Sequence, residues 1–427
     1  MHRGHLVRLL GVVLTFAVLA AACGDDDGDS DASASETSVT SAADDAGTAT
    51  TGSDTSVTTS GSDASTTTLG EAAGDLPPLQ IGSIVSQTGV FAAVGAGILR
   101  GVEQAEATWN AEPSNRPLAI TTCDDQSTPE GGLACYRQLA ENSDAIVGPH
   151  LFPGYRAVKD LVATDGPVLM TGVPFSEPPA GSYIFQTQPN IDDIVDGQLA
   201  YAAEAGLTRV ASITSNDQPG NIGMDAVANL AGEHGVEVVA QETLDPQAQN
   251  LSPQAESIAA ADPDVVISWT IGPALINVLR ALDAAGVEAP VLMGSGSMSA
   301  PILTEAGEQT PPTLLFVASA SFEPAAIDDA DYRARVENFN DSFVERFDQA
   351  PDNNAYLAAD AVFYVAEAGT SAESTDDLRD VLQSGEPIES ILWGPYTYSG
   401  DDHVGNKGRD FEVLEWNLDT QTFTIVD

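Results

Sequence analysis

From residue 79 onward the chain alternates between two hydrophobic periods. Short apolar runs predict strands at 79–85, 118–123, 145–148, 168–170, 183–187, 210–214, 236–242, 265–269 and 291–293. Between them, apolar residues recur at helical spacing. Ile98/Val102/Ala105/Trp109, Leu133/Tyr136/Leu139/Ala140 and Ile191/Ile194/Val195/Leu199/Ala202 each form one stripe. Strand and helix in alternation imply an α/β fold of mostly parallel sheets with helices on both faces. After a further run at 314–318 the pattern turns helical over 332–348, 355–368 and 375–382, then returns to β character at 396–398, 411–416 and 423–426. This late return to helices predicts two lobes, joined by chain crossovers, with a cleft between them.

The first unit is the most informative. Its apolar run gives way to a small-residue loop, 86–93, and then to a helix. Sheets of this class bind ligands in the crevice outside the carboxyl ends of their strands. The loop holding Thr88 and Phe91 is therefore the expected first wall of a binding site.

Residues 1–23 carry a different pattern. Arg3 and Arg8 precede an apolar core at 9–19, and Ala20-Ala21-Ala22-Cys23 follows. The apolar run is too short for a permanent membrane span and reads as an export signal. Small residues directly before a cysteine resemble a bacterial lipobox, in which Cys23 becomes the lipidated N-terminus. Residues 24–75 are almost wholly Ser, Thr, Asp, Gly and Ala without an aromatic residue, a composition that buries too little apolar surface to fold. As a flexible tether this segment reaches about 40 Å. The expected location is therefore the outer face of the cytoplasmic membrane or the periplasm.

Composition narrows the function. The chain has 427 residues, 15 basic against 64 acidic, a formal net charge of −49, and only Lys159 and Lys407 as lysines. Nucleic acid is excluded as a partner by that balance. In an exported chain, Cys123 and Cys135 are expected to form a structural disulfide between a strand end and the following helix. Two cysteines without a nearby histidine do not make a metal site. Gly95, Gly97 and Gly101, with Asp124 and Asp125 after the second strand, approach a dinucleotide fingerprint. The loop before them is too long for the tight strand-to-helix turn it requires, so they read as packing glycines. No GxSxG, HExxH or CxxC occurs, and no catalytic residue, metal or cofactor is assigned.

Four segments carry a family resemblance. TGVFAAVGAGILRGVEQAEATWNA after Gly82, CDDQSTPEGGLACYRQLA before AIVGPH, NNAYLAADAVFYVAEA, and WGPYTYSGDDHVGNKGRDFEVLEW resemble, in order and spacing, the leucine/isoleucine/valine-binding family of ABC-importer solute receptors. The resemblance implies a two-lobed type I periplasmic binding protein, acting as a monomer with a permease and an ATPase. It implies discontinuous lobes, 77–188 plus 317–408 and 189–316 plus 409–427, with hinge crossings near Gln188, Phe316 and Asp410.

The family's amino-acid binders hold the α-carboxylate with hydroxyls and helix N-terminal N–H groups, and the α-ammonium with an acid beside a tyrosine. Here Phe152 stands where the serine is expected, and Phe175 or Ser176 where the threonine is expected. Pro219 replaces the tyrosine and Ala274 the acid. A buried ammonium without an anionic partner is heavily penalised. The expected ligand is therefore apolar, aromatic or amide-like rather than a free α-amino acid. Phe91, Leu151, Phe152, Phe175, Trp269 and Ile271, with Phe322, are the expected walls; Thr88, His150, Thr171 and Asn216 are the expected anchors. The N–H groups of Gly154 and Tyr155 offer a place for a ligand carboxylate. Branched-chain amino acid binding by a non-standard site, and ligand sensing for a membrane signalling partner, are the alternatives.

Overall fold

The computed structural model describes residues 76–405 and 411–426. The export signal, Cys23, the tether and the crossing at Asp410 lie outside them. The described residues form two α/β layers around two sheets. The first sheet contains β1 (Leu79–Val85), β2 (Leu118–Asp124), β3 (Ala145–Val147), β4 (Val168–Thr171) and β5 (Ile184–Gln186), in the order β2-β1-β3-β4-β5 and all parallel. Helices α1 (Ala92–Asn110), α2 (Pro129–Ala140) and α3 (Phe152–Val162) follow its first three strands. Its central strands are buried on both faces, which is why they read as continuous apolar runs.

The chain leaves this sheet through α4 (Ile191–Glu204). The second sheet holds β6 (Arg209–Ser215), β7 (Glu237–Leu244), β8 (Val265–Trp269), β9 (Val291–Gly294) and β10 (Leu314–Ser319), with α5 (Gln218–Leu230), α6 (Ser252–Ala261), α7 (Pro273–Ala284) and α8 (Ala300–Ala306) between them. Helices α9 (Ala330–Phe347), α10 (Asn353–Ala368) and α11 (Thr375–Leu382) then cover the first sheet. The hairpin β11 (Phe411–Asn417) and β12 (Thr422–Ile425) closes the second, whose order is β12-β11-β10-β9-β8-β6-β7. Among the described strands only the pairs β10–β11 and β11–β12 are antiparallel.

Two expectations shift. Phe316 is not at a crossing: it lies within β10, paired to both β9 and β11, and the chain leaves the sheet only after Ser319. Its apolar run continues to the end of a buried strand, so composition alone does not mark the exit. Tyr396 and Tyr398 form no ladder strand; isolated bridges join Ile388 to Tyr396 and Ser384 to Ser399. Their alternation has another cause, since both rings are buried in the first core while Thr397 is exposed. The Tyr398 hydroxyl donates to the Gln186 carbonyl at 2.8 Å.

Helix contacts explain the glycines of the first unit. A Cβ on Gly95 would meet the Ser86 carbonyl oxygen at 1.9 Å, and one on Gly101 the Ala355 carbonyl oxygen at 2.1 Å. Gly101 thus brings α1 against α10, a helix buried along most of its length. The packing reading of these glycines holds. The disulfide Cys123–Cys135 joins β2 to α2 with a Cα–Cα distance of 5.6 Å.

Where the chain passes from β10 to α9, hydroxyls bind it to the first core. Ser319 donates to the Leu392 carbonyl and Ser321 to that of Ile391 at 2.6 Å. The receiving segment is held in turn by Asp360 of α10, whose carboxylate accepts from Ile391 N–H at 2.8 Å, Leu392 N–H at 3.1 Å and the Ser390 hydroxyl. Burial pushes the Asp360 pKa up to about 6, against the lowering effect of these hydrogen bonds.

Candidate ligand cleft

Strand order locates the crevices. In the first sheet the winding reverses between β1 and β3, and in the second between β6 and β8. The loops leaving those strands are 86–91, 148–151, 216–217 and 270–272. Thr88, Phe91, His150, Leu151, Asn216 and Ile271 all lie on them.

Several of these side chains are already engaged. The loop after β1 is tied to the end of β2: Thr88 Oγ1 donates to Asp124 Oδ2 at 2.7 Å, Ser86 Oγ to Asp125 Oδ1 at 2.6 Å, and Phe91 N–H to Ser127 Oγ at 3.1 Å. At Asp124, burial raises the pKa, but hydrogen bonds from Thr88, Gln126 and Gln87 outweigh it and hold the carboxyl below its ordinary value. Thr171 Oγ1 donates to the Pro149 carbonyl at 2.7 Å, joining the loops after β4 and β3. His150 Nδ1 accepts from Gly172 N–H at 3.1 Å, which places the neutral ring's proton on Nε2. That buried Nε2 has no partner among the described residues, and burial pushes the His150 pKa down to about 4. The Tyr155 N–H is spent on the Leu151 carbonyl at 3.1 Å, so it is not available to a ligand carboxylate.

In the second sheet Asn216 is exposed and Ile271 is 45 % exposed. Trp269 turns into its own core. Its Nε1 donates to Gln198 Oε1 of α4 at 3.3 Å, and its ring lies over Gly223 of α5 and beside Gly294. Phe322 is also a packing ring, edge-on to Tyr356 at 5.3 Å and to Phe423 at 6.0 Å.

Two of the expected walls do meet at an open space. Phe152, at the first position of α3, and Phe175, after β4, stand with ring centroids 5.0 Å apart and planes tilted by 48°. Leu151, immediately before Phe152, is half-buried and caps α3. The pair borders a cleft of about 410 Å³, lined also by Tyr155, Arg156, Lys159, Asp160, Ser176 and Glu177, and by Gln218. Gln218 opens α5 of the second sheet, so the cleft is walled from both layers. Phe175 packs on apolar clusters of both sheets. The volume is within the range of small-molecule sites. The charged side of this cleft was missed by sequence reasoning. Its available signal was two cations three positions apart, Arg156 and Lys159, in a chain with very few.

The comparisons agree with this architecture. The family model for a periplasmic binding protein matches residues 78–421. The chain belongs to the periplasmic binding protein family. A type 1 periplasmic binding protein of Bordetella pertussis Tohama I is 21% identical over 82% of this chain and 99% of its own, with a TM-score of 0.70. The branched-chain amino acid transporter substrate-binding protein LivJ of Streptococcus pneumoniae, solved with isoleucine, is 18% identical over 82% and 99%, with a TM-score of 0.68. An ABC transporter solute-binding protein of R. palustris, solved with benzoate, is 19% identical over 82% and 95%, with a TM-score of 0.67. At these identities the likeness establishes the type I fold. No curated protein matches the sequence. Members of this family bind small molecules as ABC-transporter receptors. Among the described residues no helix is long and apolar enough to cross a membrane.

Proposed function

We propose that this chain is the lipid-anchored receptor of an ABC importer, capturing an aromatic, apolar or amide-like solute in preference to a free α-amino acid. The observation carrying the proposal is the Phe152–Phe175 pair at a cleft walled by α3 and the start of α5. Paired rings offer an apolar slot whose orientation is fixed by a few polar groups. The benzoate held by one structural neighbour is compatible with such a slot, and the isoleucine held by another supplies the competing ligand class. Lipidation of Cys23, with residues 24–75 as leash, would hold the receptor at the outer face of the cytoplasmic membrane.

In this reading the first lobe is built on the five-stranded sheet and the second on the seven-stranded one. The crossings lie near Gln188 and, in place of Phe316, across 320–329. Ligand meets one lobe and the other closes over it, and the closed form docks on the permease. Calorimetry of the purified protein with benzamide, phenylacetamide, benzoate, leucine and valine tests the ligand class. Binding of aromatic solutes with leucine and valine inert supports it; tight leucine or valine binding with aromatic solutes inert overturns it.

A further inference from the structure

We infer that the cleft selects an aromatic monocarboxylate, with Arg156 and Lys159 of α3 as the groups that recognise its charge. This rests on the aromatic reading above and adds to it the sign and number of the ligand's charges. Cations in this chain are few, and most of those described are consumed by the fold. Arg116 holds the Gly369 and Ala372 carbonyls, Arg209 the Ala261 carbonyl, Arg280 that of Glu305 and Arg333 that of Ile327, while Arg335 and Arg379 pair with Glu389 and Asp380. Arg156 and Lys159 differ. Both are exposed, both line the cleft, and neither side chain has a hydrogen-bond or ion-pair partner among the described residues.

Their spacing matters. Residues three apart lie on one helix face, so the guanidinium and the ammonium rise from the same side of α3, about one and two turns beyond Phe152. Arg156 follows Phe152 by four residues and Lys159 by seven, so a ring seated on Phe152 and Phe175 has the guanidinium about one turn away and the ammonium about two. An arginine fork with a second cation beside it matches the two oxygens of a carboxylate. Asp160 and Glu177 line the same cleft, and burial together with these two acids pushes the neighbouring Tyr155 hydroxyl up to about 12. Two anions and two cations leave the lining neutral in a chain of charge −49. Such a lining accepts one negative charge at the cations. A second carboxylate finds no further cation in the lining and is repelled by Asp160 and Glu177.

The test is isothermal calorimetry at neutral pH and low salt on the full-length protein. Benzoate, phenylacetate and cinnamate are compared with their amides, with terephthalate and with leucine, in wild type, Arg156→Gln, Lys159→Gln, the double variant and Phe152→Leu. The expected result is an acid bound at least about tenfold tighter than its amide and than terephthalate. Each Gln variant should weaken the acid several-fold with its amide unchanged, and the double variant should abolish the preference. Added salt should erode it in wild type. Phe152→Leu should weaken acid and amide alike. Equal binding of acid and amide in wild type, or an acid affinity untouched in the double variant, overturns the charge assignment while the aromatic reading stands. Failure of every acid and amide while leucine binds overturns both. Failure of every acid alone overturns the charge assignment. Circular dichroism and melting temperature, expected unchanged for the exposed Arg156 and Lys159 substitutions, separate lost recognition from lost folding.

Discussion

The indole of Trp269 lies flat against Gly223: a Cβ at Gly223 would stand 2.5 Å from Trp269 Cγ. A ring at the end of β8, on a loop where ligand contacts are expected, is thus occupied by its own lobe. Trp269→Ala should empty the groove between α4 and α5 and cost about 2–3 kcal/mol of stability. Gly223→Ala should cost about 1–3 kcal/mol by forcing the indole away. Urea denaturation of both variants measures this; a wild-type midpoint in both would contradict the packing.

Phe152 should behave differently, since its ring borders open space. Phe152→Ala should weaken aromatic ligands about tenfold or more while lowering stability less than Trp269→Ala does. Titration calorimetry and denaturation on the same samples read the two effects separately.

Two buried groups should give stability slopes of opposite sign with pH. His150, lowered from 6.5 to about 4, withdraws stability as pH falls through that window, because the unfolded chain takes up a proton that the folded one refuses. Asp360, raised from 3.8 to about 6, withdraws stability as pH rises, because the folded chain retains a proton that the unfolded one releases. Each effect is about 3 kcal/mol in full. The wild-type advantage over His150→Gln should therefore shrink between pH 7 and 4, and the advantage over Asp360→Asn should grow. Denaturation curves at the two pH values check this, and a change of the same sign in both would refute it.

The disulfide closes a short segment, with Cys123 and Cys135 separated by 12 residues. Replacing both by serine should cost about 3 kcal/mol, since the link constrains the unfolded chain. Because neither cysteine lines the cleft, ligand affinity at a temperature where both forms are folded should be unchanged. Thermal melts with and without ligand test both statements.

Much of the scaffold was legible because parallel strands buried on both faces advertise themselves as apolar runs. The runs at 79–85 and 265–269 match β1 and β8 without adjustment, as does the stripe at 375–382 for α11. The tyrosines at 396 and 398 misled because alternation reports alternate burial, and burial by a core does not require a ladder. The ring pair Phe152–Phe175 was legible as loop aromatics at strand ends. The hydroxyls of Thr88 and Thr171 were less so. Whether a loop hydroxyl faces a ligand or braces a neighbouring loop depends on what stands 2.7 Å away, here Asp124 and the Pro149 carbonyl, each far along the chain.

The close approach of Gly101 to Ala355 reaches beyond local packing. It fastens α1 to a helix contributed some 250 residues later, so the five-stranded layer is complete only when both segments have been made. A chain interrupted before α10 would leave an apolar face of α1 uncovered. During synthesis that face stays exposed, and open to aggregation, until α10 has been made.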